Sequence, residues 1–230
     1  MFDLTLPFLF ITTLIVFFLG IIVLAKNPNN KTHQLFFAVV FVLTIWLFTH
    51  YFQNEPYFKN YAALLLKLDF ASGIFLSFFF YFFCLNFPRS SFVSLRKMFL
   101  FLFPTIILSF LSFTSLILKN IYFRDGIIDA RPGKLFWLYF IFVFFMISSG
   151  LRELFIKYKK SFGVERLQIF YVFLGLSIPA IVIFSLNLVF DPLFSLPPQI
   201  LRGGNFTLLI FCILTAFAIT RYHLFGIKVI

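Results

Sequence analysis

Charged residues are scarce in this sequence. They make up 12% of its 230 residues, about half the share in a soluble domain. Those present do not gather into recognisable chemistry. The three histidines, His33, His50 and His223, lie far apart in the chain with no HExxH pair and no paired carboxylates, so metal catalysis is not indicated. The segment 205–220, NFTLLIFCILTAFAIT, has no lysine, which argues against a retinal Schiff base in the last apolar segment. The two cysteines, Cys84 and Cys212, sit inside apolar runs and read as small buried hydrophobes. No cofactor is implied. The opening residues, MFDLTLP, lack the basic stretch of a signal peptide. No repeat of the transporter kind is visible.

What the chain does have is apolar surface. Hydrophobic residues make up 62% of it, 42 of them phenylalanine, and the mean hydropathy is +1.03. One soluble core cannot hide that much apolar area, so the solvent for most of the chain is lipid. Seven apolar segments follow one another, at roughly 4–25, 34–52, 62–87, 98–118, 135–151, 168–190 and 205–220. The first is about 33 Å long as a helix, enough to cross a bilayer core of about 30 Å. Barrel strands would alternate polar and apolar residues; runs such as GIFLSFFFYFFCLNF do not. The expected fold is all-α, a single polytopic bundle of seven transmembrane helices spanning 1–230.

The connections orient it. Lys26, Lys31, Arg89, Arg96, Lys97, Arg152, Lys157, Lys159, Lys160, Arg166, Arg221 and Lys228 fall on one side, against Lys59, Lys119, Arg124, Arg131, Lys134 and Arg202 on the other. The positive side is cytoplasmic by the positive-inside rule, which puts the N-terminus outside and the C-terminus inside. The net charge of +11 is then a cytoplasmic collar. No aromatic-interleaved basic groove points to nucleic acid. On the outer side, Asp125-Gly126 lies between two β-prone stretches, which predicts a small hairpin near 121–130. The Pro-rich stretch 191–204 predicts an ordered turn between the sixth and seventh helices.

Lys67 and Asp69 lie within the third segment. A charge in the membrane costs at least about 2.5–3.5 kcal/mol, so each is a site candidate. Their i, i+2 spacing sends them about 200° apart on a helix, and Lys67 is long enough to snorkel. Asp69 is not, and should face the bundle. A small pocket built on Asp69, His50, Asn187 and Lys67 is the functional reading; interhelical hydrogen bonds that hold the bundle are the structural one. On the cytoplasmic side, LRELFIKYKKSFGVERLQ (151–168) carries the densest charge. It reads as a headgroup-contacting topology signal or as a contact for a cytoplasmic partner.

Taken in order, several stretches resemble the seven-transmembrane input region at the N-terminus of bacterial sensor histidine kinases. They are the turn NPNNKTHQLFF leading to Trp46; FFCLNFP, closing on Phe87-Pro88; the Asp125-Gly126 hairpin followed by PGKLFWLYF; ERLQIFYVFLGLSIP with Arg166, Gln168, Gly175 and Pro179; and ITRYHLFGI with Arg221 and Tyr222. The resemblance implies a membrane input module of a two-component system, with Arg166, Gln168, Arg221 and Tyr222 as cytoplasmic coupling candidates. No catalytic histidine on a cytoplasmic helix and no Gly-rich nucleotide loop occur in the 230 residues, so kinase activity is not expected of them. The implied partners are the lipid bilayer of the bacterial inner membrane, a cytoplasmic signalling chain or an output domain beyond Ile230, and a second copy of the chain. The main rival is a small transporter or channel, which needs a polar path across the bilayer. Asn86 and Ser148 are the chief polar residues in the inner halves of the spans, which leaves that path unformed.

Overall fold

The computed structural model describes residues 5–88, 95–124, 127–186, 207–222 and 224. Its elements are α1 (Thr5–Lys26), α2 (Lys31–Phe52), a 3-10 turn (Pro56–Tyr61), α3 (Ala62–Asn86), α4 (Leu95–Leu111), β1 (Leu118–Arg124), β2 (Ile127–Pro132), α5 (Phe136–Lys160), α6 (Gly163–Ser185) and α7 (Leu208–Tyr222). Among the described residues, four stretches are long and apolar enough to cross a bilayer: Lys31–Phe52, Pro56–Asn86, Phe136–Lys160 and Gly163–Ser185. Helices α4 and α7 are shorter, at 17 and 15 residues.

The boundaries depart from the apolar segments for physical reasons. Helix α4 stops at Leu111, not near 118. Ser112 Oγ donates to Ser109 O, and Thr114 Oγ1 donates to Leu111 O. Hydroxyls that bond nearby backbone in this way favour turns over continued helix. Helices α5 and α6 extend the other way, through the charged stretch to Lys160 and back from Gly163. Charged Arg, Glu and Lys are good helix formers, so leaving an apolar zone does not end a helix.

The predicted hairpin is present. Strands β1 and β2 pair antiparallel, and Arg124 faces Ile127, leaving a two-residue connection. That turn pair, Asp125-Gly126, lies outside the described residues, as does the Pro-rich stretch 191–204. A register shift falls between Lys119 and Tyr122, where Asn120 takes φ 52°. Three steps on β1 match two on β2, the signature of a β-bulge. At the base, Gly133 N donates to Ile117 O at 2.8 Å. A Cβ at Gly133 would stand 2.2 Å from Leu116 O, so only glycine fits.

Helices α1, α2, α3, α5, α6 and α7 pack each against the next, and α7 returns to α1, closing a ring; α4 packs against α3. The main core cluster draws on all six ring helices, among them Val23, Phe36, Phe83, Leu154, Ile169 and Phe211. Phe36 sits between Phe83 and Phe211, with ring centroids 5.6 and 6.1 Å away. Small residues let the helices approach, as is usual in membranes. A Cβ at Gly150 of α5 would lie 2.7 Å from Phe80 of α3, and one at Gly20 of α1 would lie 2.8 Å from Val40 of α2. Large apolar side chains such as Phe103, Phe110, Trp137 and Ile181 stay exposed, as expected of a lipid-facing surface.

Candidate functional site

Helix α3 has polar clusters at both ends. At the hairpin end, the last turn of α2 meets the second turn of α3. His50 Nδ1 lies 3.4 Å from Asp69 Oδ1, which is ion-pair distance without hydrogen-bond alignment. Gln53 Nε2 stands 3.5 Å from the same Nδ1. All three residues are buried: Gln53 is 5% exposed and Asp69 8%. Yet Asp69 Oδ1 and Gln53 Oε1 have no hydrogen-bond partner among the described residues. Such buried, unsatisfied oxygens are rare, because each forfeits its hydration.

Aromatic groups wall this cluster. Trp46, one turn before His50, stacks on its ring with centroids 5.0 Å apart and planes at 22°. Tyr139 of α5 donates its hydroxyl to Phe70 O at 3.3 Å. A Cβ at Gly73 would come within 3.0 Å of Tyr139 Oη and 4.0 Å of Trp46 Nε1, so α2, α3 and α5 converge here. Ser72 Oγ donates to Asp69 O at 2.9 Å. The hairpin is tied to the same place: Ile128 N donates to Asn54 Oδ1 at 3.1 Å, and Asn54 directly follows Gln53.

Of the pocket residues expected from sequence, His50 and Asp69 come together. Lys67 does not join them. It is half-buried, its carbonyl accepts from Ser112 Oγ at 3.3 Å, and among the described residues no hydrogen bond or ion pair connects its side chain to the pair. Asn187 lies outside the described residues. Gln53 falls just past the apolar segment and so outside the expected pocket; its spacing of three from His50 on one helical face is the available signal.

At the opposite, basic end, α3 is closed by a residue that charge counting hides. Lys157 of α5 donates from Nζ to three carbonyls, Cys84 O at 2.9 Å, Leu85 O at 2.7 Å and Phe87 O at 2.5 Å. These belong to the end of α3, where carbonyls lack intrahelical partners and the helix dipole favours a cation. Lys157 continues the face of Met146, Gly150 and Leu154, all buried, at spacings of 4, 4 and 3. That periodicity would have set it apart from its exposed neighbours Lys159 and Lys160.

The coupling candidates lie at this end too. Gln168 of α6 donates to Tyr222 O, in the last turn of α7, at 2.8 Å. Tyr171 stacks on Tyr222 at 5.4 Å and 22°, and Leu224 beyond it is 1% exposed. Arg166 sits over the Tyr158 ring at 4.7 Å and donates to its hydroxyl at 3.4 Å. Arg221 belongs to the last turn of α7. A chain of contacts thus runs from the end of α3 through Lys157 and Tyr158 of α5 to α6, and from α6 to the end of α7.

No curated protein matches the chain. The family model described as the N-terminal 7TM region of histidine kinase matches residues 8–228, nearly its whole length. The chain is therefore a membrane protein, and it belongs to the family of N-terminal seven-transmembrane regions of histidine kinases, the membrane input side of those sensors.

Proposed function

We propose that the chain is a signal-input domain with seven spans, N-terminus outside and C-terminus inside, in a bacterial cytoplasmic membrane. In this reading it is not itself an enzyme. A stimulus at the hairpin end biases two packings of the bundle, and α7 carries the bias to a cytoplasmic output domain or partner chain, in a single copy or a dimer. A ligand can shift such an equilibrium only by its differential affinity for the two states. Membrane bundles typically respond through small shifts or rotations of packed helices.

The observation that supports this best is the grip of α6 on the end of α7, through Gln168 and the Tyr171–Tyr222 stack. It ties the helix nearest the C-terminus to the α3–α5–α6 contacts. A transporter reading finds less support: Phe36, Phe83 and Phe211 fill the ring toward its basic end.

The test is a fusion of residues 1–230 to the dimerising and ATP-binding core of a histidine kinase, reconstituted in nanodiscs. Autophosphorylation is expected to change at least about threefold on Gln168→Ala, with the fusion equally folded, a shift of at least about 0.6 kcal/mol between the active and inactive populations. Unchanged rates in Gln168→Ala, and equally in Tyr222→Ala, would remove the input reading.

A further inference from the structure

Among the described residues, Asp69 Oδ1 and Gln53 Oε1 of the hairpin-end cluster accept no hydrogen bond. His50 Nδ1 has only a long 3.5 Å contact from Gln53 Nε2, and in the tautomer protonated at Nε2 it can exchange that contact for a stronger donor. A primary ammonium carries three N–H donors and one positive charge, so it would satisfy all three atoms and neutralise the carboxylate together. The His50–Asp69 spacing suits two of these contacts. His50 Nδ1 and Asp69 Oδ1 are 3.4 Å apart, and a nitrogen about 2.8 Å from each, the usual charge-assisted distance, completes a triangle on that base. An alkali cation fits less well, because one of the three atoms is an imidazole nitrogen.

The protein also shows how it binds such a group. At the other end of α3, the Lys157 ammonium takes three carbonyl acceptors. Among the described residues, no ammonium or guanidinium hydrogen-bonds Asp69 Oδ1 or Gln53 Oε1 at the hairpin end. Lys67, two residues before Asp69, leaves the helix about 200° away. Helix α1 has no ionisable residue between Thr5 and Ala25. The Trp46 ring stacked on His50 gives an apolar wall and an optical reporter.

We infer that the His50–Gln53–Asp69 cluster, beneath the hairpin tethered at Asn54, is a binding site for a primary ammonium group. This rests on the input reading above and names the chemistry of its stimulus. The site is formed by the last turn of a membrane-length helix, so two sources share the chemistry: an ethanolamine lipid headgroup and a free primary amine.

The test uses the full chain carrying Trp137→Phe, leaving Trp46 as the single tryptophan, in phosphatidylcholine nanodiscs titrated with ethylammonium chloride. A saturable change in Trp46 fluorescence is expected, with tetramethylammonium, which has no N–H donor, giving none. In discs containing phosphatidylethanolamine, a response diminished by prior occupancy identifies the lipid as the source, and an undiminished one identifies the free amine. Asp69→Asn should weaken the response at least about tenfold, the scale of one lost charge-assisted bond. Gln53→Leu, which leaves the pair intact, should weaken it less and serves where Asp69→Asn does not fold. No saturable response, an equal response to tetramethylammonium, or full affinity in both variants would overturn the site. Binding without any effect on the kinase fusion would leave the site standing and remove the input reading; a responsive fusion that binds no ethylammonium would do the reverse.

Discussion

The two ends of α3 face the same physical problem and meet it differently. At the basic end, carbonyls left over by the helix terminus are matched by the Lys157 ammonium. At the hairpin end, a carboxylate and an amide oxygen are buried without donors, beside a histidine held at 3.4 Å. The Lys157 contacts of the first arrangement match these three carbonyls and should stabilise the bundle, although Asn86 Oδ1 at the same end is itself buried without a hydrogen-bond partner among the described residues. The second carries a cost, and proteins retain such costs at functional sites. The contrast is between a matched structural joint and a cluster proposed to receive a ligand within one helix.

The largest expected effect lies at the joint. Lys157→Met removes the donor from three carbonyls while keeping the apolar stem. It should cost about 2–4 kcal/mol of unfolding free energy in mixed micelles, given about 1.5–3 kcal/mol for a charged hydrogen bond and partial rehydration of the freed groups. Lys157→Arg should recover part of this, because the guanidinium keeps the charge but not the compact three-way geometry. A loss below about 0.5 kcal/mol for Lys157→Met would reduce Lys157 to another collar charge.

A smaller effect is expected at the tie between α6 and α7. Gln168→Ala removes a half-buried bond to Tyr222 O and should cost about 1 kcal/mol. Hydrogen exchange should quicken in the last turn of α7 more than in α3. Smallest is the tie at the hairpin. Asn54→Ala should cost about 0.5–1 kcal/mol and speed exchange of the Ile128 amide, leaving the basic end unchanged. Equal acceleration at both ends would mean that the two regions are not separable.

Much of this architecture is legible in the sequence, because hydropathy and turn chemistry act locally. An apolar segment overlaps each long helix among the described residues, the spacing around Asp125-Gly126 marks the strands, and the NPNN turn marks the start of α2, where Asn30 Oδ1 caps Thr32 N at 2.8 Å. The meeting of His50 with Asp69 follows from a short side chain that cannot snorkel. What stays hidden depends on three-dimensional matching. Lys157 looks like its neighbours Lys159 and Lys160 until α3 supplies the carbonyls. Gln53 looks interfacial until Asp69 stands opposite. For Lys67 a charge in a span signals importance without direction; the helical spacing already turns it away from Asp69, and the structure adds that Ser112, in the turn after α4, bonds its carbonyl.

The contrast between the ends is tested most directly by the unfolding free energy of Asp69→Asn, measured beside Lys157→Met in the same amine-free phosphatidylcholine micelles. The substitution removes a buried charge that has no donor and installs an amide that can itself donate, so stability should be unchanged or higher by about 1 kcal/mol, while Lys157→Met loses several times that. A loss in Asp69→Asn as large as that in Lys157→Met would show that Asp69 already sits in a satisfied structural ion pair, and would contradict the reading of the hairpin end as a site that lacks its partner.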